Sequence, residues 1–347
     1  MVTAVGELVT PTGRLVLPAD APHDTWLETR RRRDGVPGGY CIGSSDVPSI
    51  LDLPGVDTPG HVFHDKVNAI GKDEADAMRY GHLFEPVIAQ DWCARNKAVI
   101  EDIGIVGHTD EPWHQTSLDR RVVECPLRID GGCGLEIKNV GARVFNTRWR
   151  DDMPDYILAQ MVHQLFVTGF HHMHFAVCVG GNEPHQGVVY AEREADLMTY
   201  IRREVNAFRE RYLLTGTPPP WTAEDKPGRY IELDKRLHPE RIGEVGVQDI
   251  GDLMEYAEAA AAEGAARKRK EKAKAKLAGH AGGAELVTFA DEEAWSYRRD
   301  PYVWVDLERL AEKHPEVYAD PEVVHHKSKT VLVVAKAYRQ RAKEATA

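Results

Sequence analysis

The stretch GLEIKN, residues 134–139, places an acid and a base one residue apart inside a short apolar segment. Side chains alternate between the two faces of a strand, so Glu136 and Lys138 would share one face, with Leu135 and Ile137 on the other. Charged side chains are rarely buried unless they are paired. Read alone, the pair is either an exposed, inert couple or part of a chemical site.

Composition sets the first limits. The chain has 347 residues, of which 42% are hydrophobic and 29% are charged, enough for one large domain or two smaller ones with a real core. No apolar run reaches the length of a membrane span, and the N-terminus lacks the pattern of a signal peptide. The five cysteines show no CxxC pair and no spacing typical of zinc or iron–sulfur sites. We therefore expect a soluble protein of a reducing, cytoplasmic environment, with no membrane partner.

The net charge says less about function than the composition does. The net charge of −11 argues mildly against a non-specific nucleic-acid coat protein, but it does not exclude an enzyme with a local basic groove. Three basic runs are present, at residues 29–35, 142–150 and 267–276. Taken alone, each is typical of a solvated face, with DNA contact as the alternative.

Turn residues and periodicity predict three regions: an irregular arm at 1–25, a core at 26–221, and a C-terminal extension at 222–347 that is mostly helical with a small β-hairpin. The core alternates helices with strand-like segments, which predicts an α/β fold with a mixed sheet flanked by helices. In the helix around Glu85, one apolar face is predicted to contain Leu83, Val87, Ile88 and Trp92.

Three acids and one base of this core fit metal-dependent phosphodiester hydrolysis. Asp119 and Glu136 on adjacent antiparallel strands could grip Mg²⁺, with the backbone carbonyl of Ile137 as a further ligand. Lys138 would orient or deprotonate the water, and Glu85 from a packed helix would complete the metal shell. The alternatives without a catalytic role are that Glu85 is an exposed acid on a helix and that Asp119 is a turn residue at the end of a strand.

Four stretches follow one another along the core: WLETR (26–30) with IGSSDVPSILDL (42–53), YGHLFEPVIAQDW (80–92), TSLDRRVV (116–123) with GLEIKN (134–139), and PDYILAQMVHQLFVTG (154–169). In this order and spacing they resemble the lambda-exonuclease-like, YqaJ-type viral recombinase family of the PD-(D/E)xK (restriction-endonuclease-like) nuclease superfamily.

The resemblance implies a role for each matching position. It makes Asp119 and Glu136 metal ligands, Glu85 a further metal-site acid and Lys138 the catalytic lysine. Gln160 would support the site from the following helix. Arg30 and Ser45 match positions that, in the family, contact the 5′-phosphate end of DNA.

The resemblance also implies an activity. The chain would digest duplex DNA ends 5′ to 3′ with Mg²⁺, or Mn²⁺ in its place, and leave a 3′ single strand for an annealing partner protein. Phage or prophage recombination in a bacterial host is the implied setting, and a homo-oligomeric ring is a possible assembly. Two alternatives stay open: an endonuclease of the same superfamily, and a non-catalytic DNA-binding accessory protein on the same fold.

The sequence departs from the family pattern in three places. The stretch RRRDGVPGGYC, residues 31–41, looks inserted, which leaves open which arginine of Arg30–Arg33 contacts phosphate. Val162 stands where relatives often have a second glutamine, and Arg120 replaces the usual glycine after the aspartate.

Histidines invite a metal interpretation of their own. His172 and His174 would share a strand face, but no third ligand is evident in the sequence, so a zinc site is not predicted there. His82 and His163 are interpreted as structural, although His82, three residues before Glu85, could lie beside the metal.

Overall fold

The computed structural model describes residues 4–71, 76–149, 152–221, 226–247, 249–296, 305–324 and 334–345. Internal contacts divide the chain into two compact units, Met1–Arg241 and Ile242–Ala347. The domain limits expected at residue 25 and at Trp221 stay predictions.

The first unit combines strands and helices along its whole length. Its strands are β1 (Gly13–Leu17), β2 (Ile42–Gly43), β3 (Val99–Glu101), β4 (Ile105–His108), β5 (His114–Ser117), β6 (Arg120–Glu124), β7 (Cys133–Val140), β8 (His172–Val179) and β9 (Glu183–Tyr190). Its helices are α1 (His23–Arg31), α2 (Val47–Ile50), α3 (Pro59–Asn68), α4 (Asp76–Asn96), α5 (Ala142–Arg148), α6 (Asp155–Thr168), α7 (Ala195–Phe208), with a π-helical continuation at Arg209–Leu213, and α8 (Pro227–Leu237).

Two mixed sheets organise this unit. A five-stranded sheet has the order β3-β6-β7-β8-β9, with β7 and β8 parallel and the other neighbours antiparallel. A four-stranded sheet has the order β1-β4-β5-β2. Parallel neighbours require a crossover connection, and α5 and α6 form the one between β7 and β8. The predicted α/β class with helices flanking a mixed sheet is confirmed.

The five-stranded sheet is covered on both faces. On one face, Ile88 and Trp92 of α4 pack against Leu135 and Ile137 of β7. On the other, α6 and α7 belong to the large apolar cluster that includes Met173 of β8. Burial of both faces explains why the sheet strands contain few exposed positions near their centres.

The second unit is helical with one small hairpin. Its elements are α9 (Gly251–Ala281), β10 (Leu286–Phe289), β11 (Glu292–Ser296), α10 (Leu307–Lys313), α11 (Pro315–Tyr318) and α12 (Lys336–Ala345). Ala257, Val334 and Ala342 form its small buried cluster. Throughout the described ranges, no helix combines the length and the apolar character needed to cross a membrane.

Two segments expected to be single strands are each divided between the two sheets. Residues 98–108 form β3 and β4, and residues 114–124 form β5 and β6. At the first break Gly104 has φ +82°, and a Cβ there would lie 2.1 Å from the carbonyl oxygen of Leu17, so only glycine fits. Asp119 lies at the second break.

Two further expectations were wrong. The N-terminal arm is not wholly irregular, because β1 pairs antiparallel with β4 and buries Leu15. In α4, Leu83 and Val87 are mainly exposed, while Ile88 and Trp92 are buried. The helix packs against the sheet through Ile88 and Trp92. The apolar face predicted from the sequence is therefore wider than the face that is buried.

Glu111, in the loop between β4 and β5, ties α7 to the four-stranded sheet. Its carboxylate accepts hydrogen bonds from Arg202 Nε at 2.7 Å and from Asn206 Nδ2 at 3.0 Å. His114 Nε2 lies 3.3 Å from the same carboxylate. The hydrogen bond from His114, followed by those from Arg202 and Asn206, outweighs the effect of burial and holds the pKa of Glu111 far below its usual range.

We predict that Glu111→Gln lowers the free energy of unfolding by about 1–3 kcal/mol at neutral pH, because the ionised acceptor of a buried network is lost. A depressed native pKa stabilises the fold above the unfolded pKa, near 4.5, and this contribution falls as pH drops toward the native pKa. The gap between the wild type and the variant should therefore narrow between about pH 7 and about pH 3.5 in urea titrations. Glu210→Gln, at an exposed position, is the matched control; an unchanged gap at the lower pH would contradict the assignment.

Candidate active site

Glu136, at the centre of β7, is the buried acid around which the site is arranged. Its side chain is 1% exposed. Gln160 Nε2 donates to Oε1 and Gln164 Nε2 donates to Oε2, each at 2.7 Å. Lys138 forms an ion pair with Oε1. A buried carboxylate is tolerated only when its oxygens are satisfied, and these three partners from β7 and α6 do this.

Asp119 lies next to this carboxylate because the chain passes there from β5 to β6. Antiparallel pairing of β6 with β7 sets Arg120 opposite Leu135. Ile137 N–H then donates to Asp119 Oδ2 at 2.6 Å. Burial, and after it the neighbouring charge of Glu136, raises the pKa of Asp119 well above its usual value. Two acids held this close favour either a shared proton or a bound cation.

Lys138 is a cation held between these acids. Burial alone would lower the pKa of its ammonium group, but Glu136 and Asp119 outweigh burial and raise it. The two actions expected for this lysine, orienting a water and deprotonating it, stay predictions.

Glu85 is engaged differently from the other acids. Arg120 Nη1 lies 2.6 Å from Glu85 Oε1 and also donates to the backbone carbonyl of Asp119. Asp102 lies 3.3 Å from the same guanidinium group. The arginine that departs from the family pattern thus connects α4 to the Asp119 turn. Glu85 and the carbonyl of Ile137 remain predicted ligands.

One cavity of about 230 Å³ joins Asp119 to the predicted phosphate-contact residues. Arg30 donates to the Ser45 hydroxyl, and its guanidinium lies 4.5 Å from the centre of the Trp26 ring. The cavity lining is: Trp26, Arg30, Gly43, Ser44, Ser45, His82, Ile105, Gln115, Thr116, Ser117, Asp119 and Gln160. The cavity therefore brings the predicted phosphate-contact residues, Arg30 and Ser45, next to Asp119, although they lie far apart in the chain.

The other arginines of the 30–33 run are occupied elsewhere. Arg31 Nε binds Asp65 at 2.9 Å, and Arg32 stacks on Tyr40 at 4.5 Å from the ring centre. Arg33 donates to a backbone carbonyl at 2.7 Å. Within this run, Arg30 is the member that lines the cavity with Asp119.

The turn that carries Ser45 is fixed by a buried ion pair. Asp46 Oδ2 accepts from the Gly43 N–H at 2.8 Å and from Lys66 Nζ at 2.7 Å. Lys66 also donates to the carbonyl of Arg30 at 2.8 Å. Burial alone would raise the pKa of Asp46, but Lys66 and Arg30 hold it below the usual value.

Ser44 begins a buried chain of hydrogen bonds that leads away from the cavity. Its hydroxyl lies 2.8 Å from His163 Nδ1, and His163 Nε2 lies 2.8 Å from His114 Nδ1. His114 Nε2 in turn lies 3.0 Å from Asn206 Oδ1. The structural role expected for His163 agrees with these contacts. His82, for which a place beside the metal was the alternative to a structural role, lines the cavity that contains Asp119.

Sequence reasoning missed two features. Gln164 was not singled out, although it lies four residues after Gln160 and hence on the same helix face. The second feature concerns His172 and His174, for which no further ligand was expected. Their ring nitrogens and the sulfurs of Cys125 and Cys133 all lie within 4.8 Å of one another, so that expectation was wrong.

The donor set beside Glu136 suits a divalent cation. Asp119 and Glu136 offer carboxylate oxygens, the ligands that Mg²⁺ prefers. Burial, and after it the charge of Glu136, raises the pKa of Asp119, and a bound cation would stabilise the ionised form of this carboxylate. These residues fit a hard metal ion.

Comparison with known proteins finds a family model that is similar to part of the chain. Residues 25–171 match the family model described as the YqaJ-like viral recombinase domain. No match is found among curated proteins.

Solved structures are also similar in part. An alkaline exonuclease, LHK-Exo, from Laribacter hongkongensis is 15% identical with a TM-score of 0.40, over 62% of this chain and 100% of that chain. The structure of LHK-Exo in complex with dAMP is 16% identical with a TM-score of 0.42, over 62% of this chain and 98% of that chain. The matched family range contains the cavity and the buried acids described above. Residues 25–171 of this chain are thus similar to the YqaJ-like viral recombinase domain.

Proposed function

We propose that this chain is a Mg²⁺-dependent DNA exonuclease of phage-type recombination, which resects duplex ends 5′ to 3′ and leaves 3′ single strands. The observation that carries the proposal is the shared cavity: Arg30 and Ser45 line it together with Asp119 and Gln160. An anion-binding pair beside buried carboxylates fits a substrate with a terminal phosphate and a neighbouring phosphodiester.

Each of the site residues has a separate role in the proposed reaction. Arg30 binds the terminal 5′-phosphate, and Ser45 holds the guanidinium in place. Asp119 and Glu136 are the ligands for Mg²⁺, which when bound would polarise the scissile phosphodiester and offset its developing negative charge. Gln160 and Gln164 keep Glu136 oriented, and Lys138 orients the attacking water toward phosphorus.

Polarity follows from the order of these groups in the proposal. A 5′-phosphate held by Arg30 leaves the first phosphodiester of that strand beside the acids, so cleavage would release the terminal nucleotide. A closed circle has no such phosphate to anchor, which separates this proposal from an endonuclease. The product strand with a free 3′ end would be passed to an annealing protein.

Two parts of the proposal concern assembly. A homo-oligomeric ring around DNA would keep the enzyme on its substrate between cleavages. The second unit is the candidate for contact with another subunit or with the annealing protein, since its long helix α9 carries the exposed basic run 267–276.

The first test compares substrates. Linear duplex DNA with 5′-phosphates should be degraded with Mg²⁺ or Mn²⁺ and should survive in EDTA, while a covalently closed circle survives under all conditions. Release of mononucleotides from a 5′-labelled end would establish the polarity. Cleavage of the circle would replace the exonuclease proposal by an endonuclease, and binding without degradation would favour the accessory protein.

Removal of the Lys138 ammonium group from β7 should nearly abolish turnover. We predict that Lys138→Ala lowers kcat by about 10²–10³-fold or more, because the positive charge that positions water is lost. Lys235→Ala, at an exposed position of α8, is the matched control. Circular dichroism should show both variants folded. Near-wild-type turnover of the folded Lys138 variant would overturn its assigned role.

The phosphate contact has a separate signature. Arg30→Ala should lower kcat/KM on 5′-phosphorylated ends by about tenfold or more, the cost of a lost charge-assisted hydrogen bond, and should reduce the preference over 5′-hydroxyl ends. Arg32→Ala, in which the removed guanidinium stacks on Tyr40, should keep that preference. If both variants lose the preference for 5′-phosphorylated ends equally, Arg30 does not bind the terminal phosphate.

A further inference from the structure

Four potential metal ligands meet on the α4 face of the five-stranded sheet. Cys125 follows β6, Cys133 begins β7, and His172 and His174 lie on β8. Parallel pairing sets Cys133 directly beside His172. His174 lies two residues further along β8 and therefore on the same face. Strands that are distant in sequence thus bring two thiols and two imidazoles to one point.

The distances suit a single tetrahedral ion. Cys125 Sγ lies 3.2 Å from His172 Nε2 and 3.4 Å from His174 Nε2. All four ligand atoms lie within 4.8 Å of one another. Zinc–sulfur and zinc–nitrogen bonds of about 2.3 and 2.05 Å at a tetrahedral angle place sulfur and nitrogen about 3.6 Å apart. The two distances from Cys125 Sγ differ from this value by only a few tenths of an ångström.

Burial distinguishes this cluster from a chance surface group. Cys133 and His172 are fully buried, and His174 is 4% exposed. Trp92 of α4 covers the group, with its ring centre 5.1 Å from that of His174. The Nδ1 atom of His172 is buried without a hydrogen-bond partner among the described residues, so the polar contacts of this ring lie within the cluster.

The His174 imidazole already has the protonation state of a metal ligand, whereas the Cys133 thiol does not. Burial, followed by the neighbouring His172, lowers the pKa of His174 to about 4, so its imidazole is neutral and offers a lone pair. Burial likewise raises the pKa of the Cys133 thiol. A metal would displace the thiol protons, and two thiolates would then balance the charge of a divalent ion in this apolar setting.

We propose that Cys125, Cys133, His172 and His174 bind one Zn²⁺ ion as a structural site. Two sulfur and two nitrogen ligands in tetrahedral reach select zinc over the hard ions suited to the carboxylate site. Four protein ligands leave no position for a substrate water, so the ion has no part in hydrolysis.

The site would fix the strands that carry the catalytic groups. It closes the 126–132 loop between β6 and β7 and joins the first residues of β7 to those of β8. Glu136 lies three residues after Cys133, on the opposite face of β7. Zinc would therefore hold the register of β7 without touching the cavity.

The test is the metal content of the full-length protein, purified under reducing conditions without chelator and measured by inductively coupled plasma mass spectrometry. We expect about one zinc per chain in the wild type, in Cys178→Ser and in Asp119→Asn, and less than about a tenth of that in Cys125→Ser. Cys178, also on β8, is the matched cysteine control, and the Asp119 variant separates this site from the carboxylate site.

A second measurement covers the case in which Cys125→Ser does not fold. The reduced wild type, stripped with chelator, should bind one Co²⁺ with a thiolate charge-transfer band and the visible bands of a tetrahedral site. Zinc should then displace the cobalt. Wild-type protein that carries no zinc and gives no such bands would overturn the proposal. So would zinc that is kept in Cys125→Ser and lost in Asp119→Asn, or a Cys125–Cys133 disulfide found by mass spectrometry in the reduced preparation.

Discussion

The burial of Glu136 is the constraint on which the first unit depends. An ionised carboxylate with 1% of its side chain exposed would destabilise the fold if its partners were missing, because removing one partner of a buried charge costs several kcal/mol. Gln160, Gln164 and Lys138 supply those partners, so the packing of α6 on β7 is set by polar contacts as well as by apolar ones. The contacts that satisfy Glu136 in the fold therefore also fix the orientation of its carboxylate.

The passage of the chain from one sheet to the other gives the site its second acid. Residues 114–124 do not form one continuous strand, and Asp119 occupies the break, where its carboxylate accepts the Ile137 N–H in place of a ladder bond. Arg120 then reaches across to Glu85 and links α4 to the same turn. A break that looks like an interruption of regular structure is therefore the feature that brings three elements to one place.

Periodicity was sufficient to predict the α/β class and the flanking helices, and strand pairing predicted that Asp119 lies near Glu136 and Lys138. These signals are local, or depend on adjacent strands. The place of Gln160 beside these residues was implied by the family resemblance alone. The choice among Arg30–Arg33 could not be made from sequence, since it depends on where Asp65, Tyr40 and a loop carbonyl lie. The sulfur–nitrogen cluster was missed for a related reason. Cys125 and Cys133 are eight residues apart, and the two histidines lie much further along the chain, so only the register of β7 with β8 brings all four together.

The buried chain from Ser44 to Asn206 has a direction. Asn206 Oδ1 also accepts from Trp113, at 2.7 Å, so it can only accept from His114 Nε2. With one proton on each ring, His114 Nδ1 accepts from His163, and His163 Nδ1 accepts the hydroxyl proton of Ser44. The serine then turns only lone pairs toward the cavity. A proton on His114 Nδ1 would reverse the His114–His163 and His163–Ser44 hydrogen bonds and leave the His114–Asn206 bond as it is. The serine hydroxyl would then be free to donate to an anion at the cavity wall.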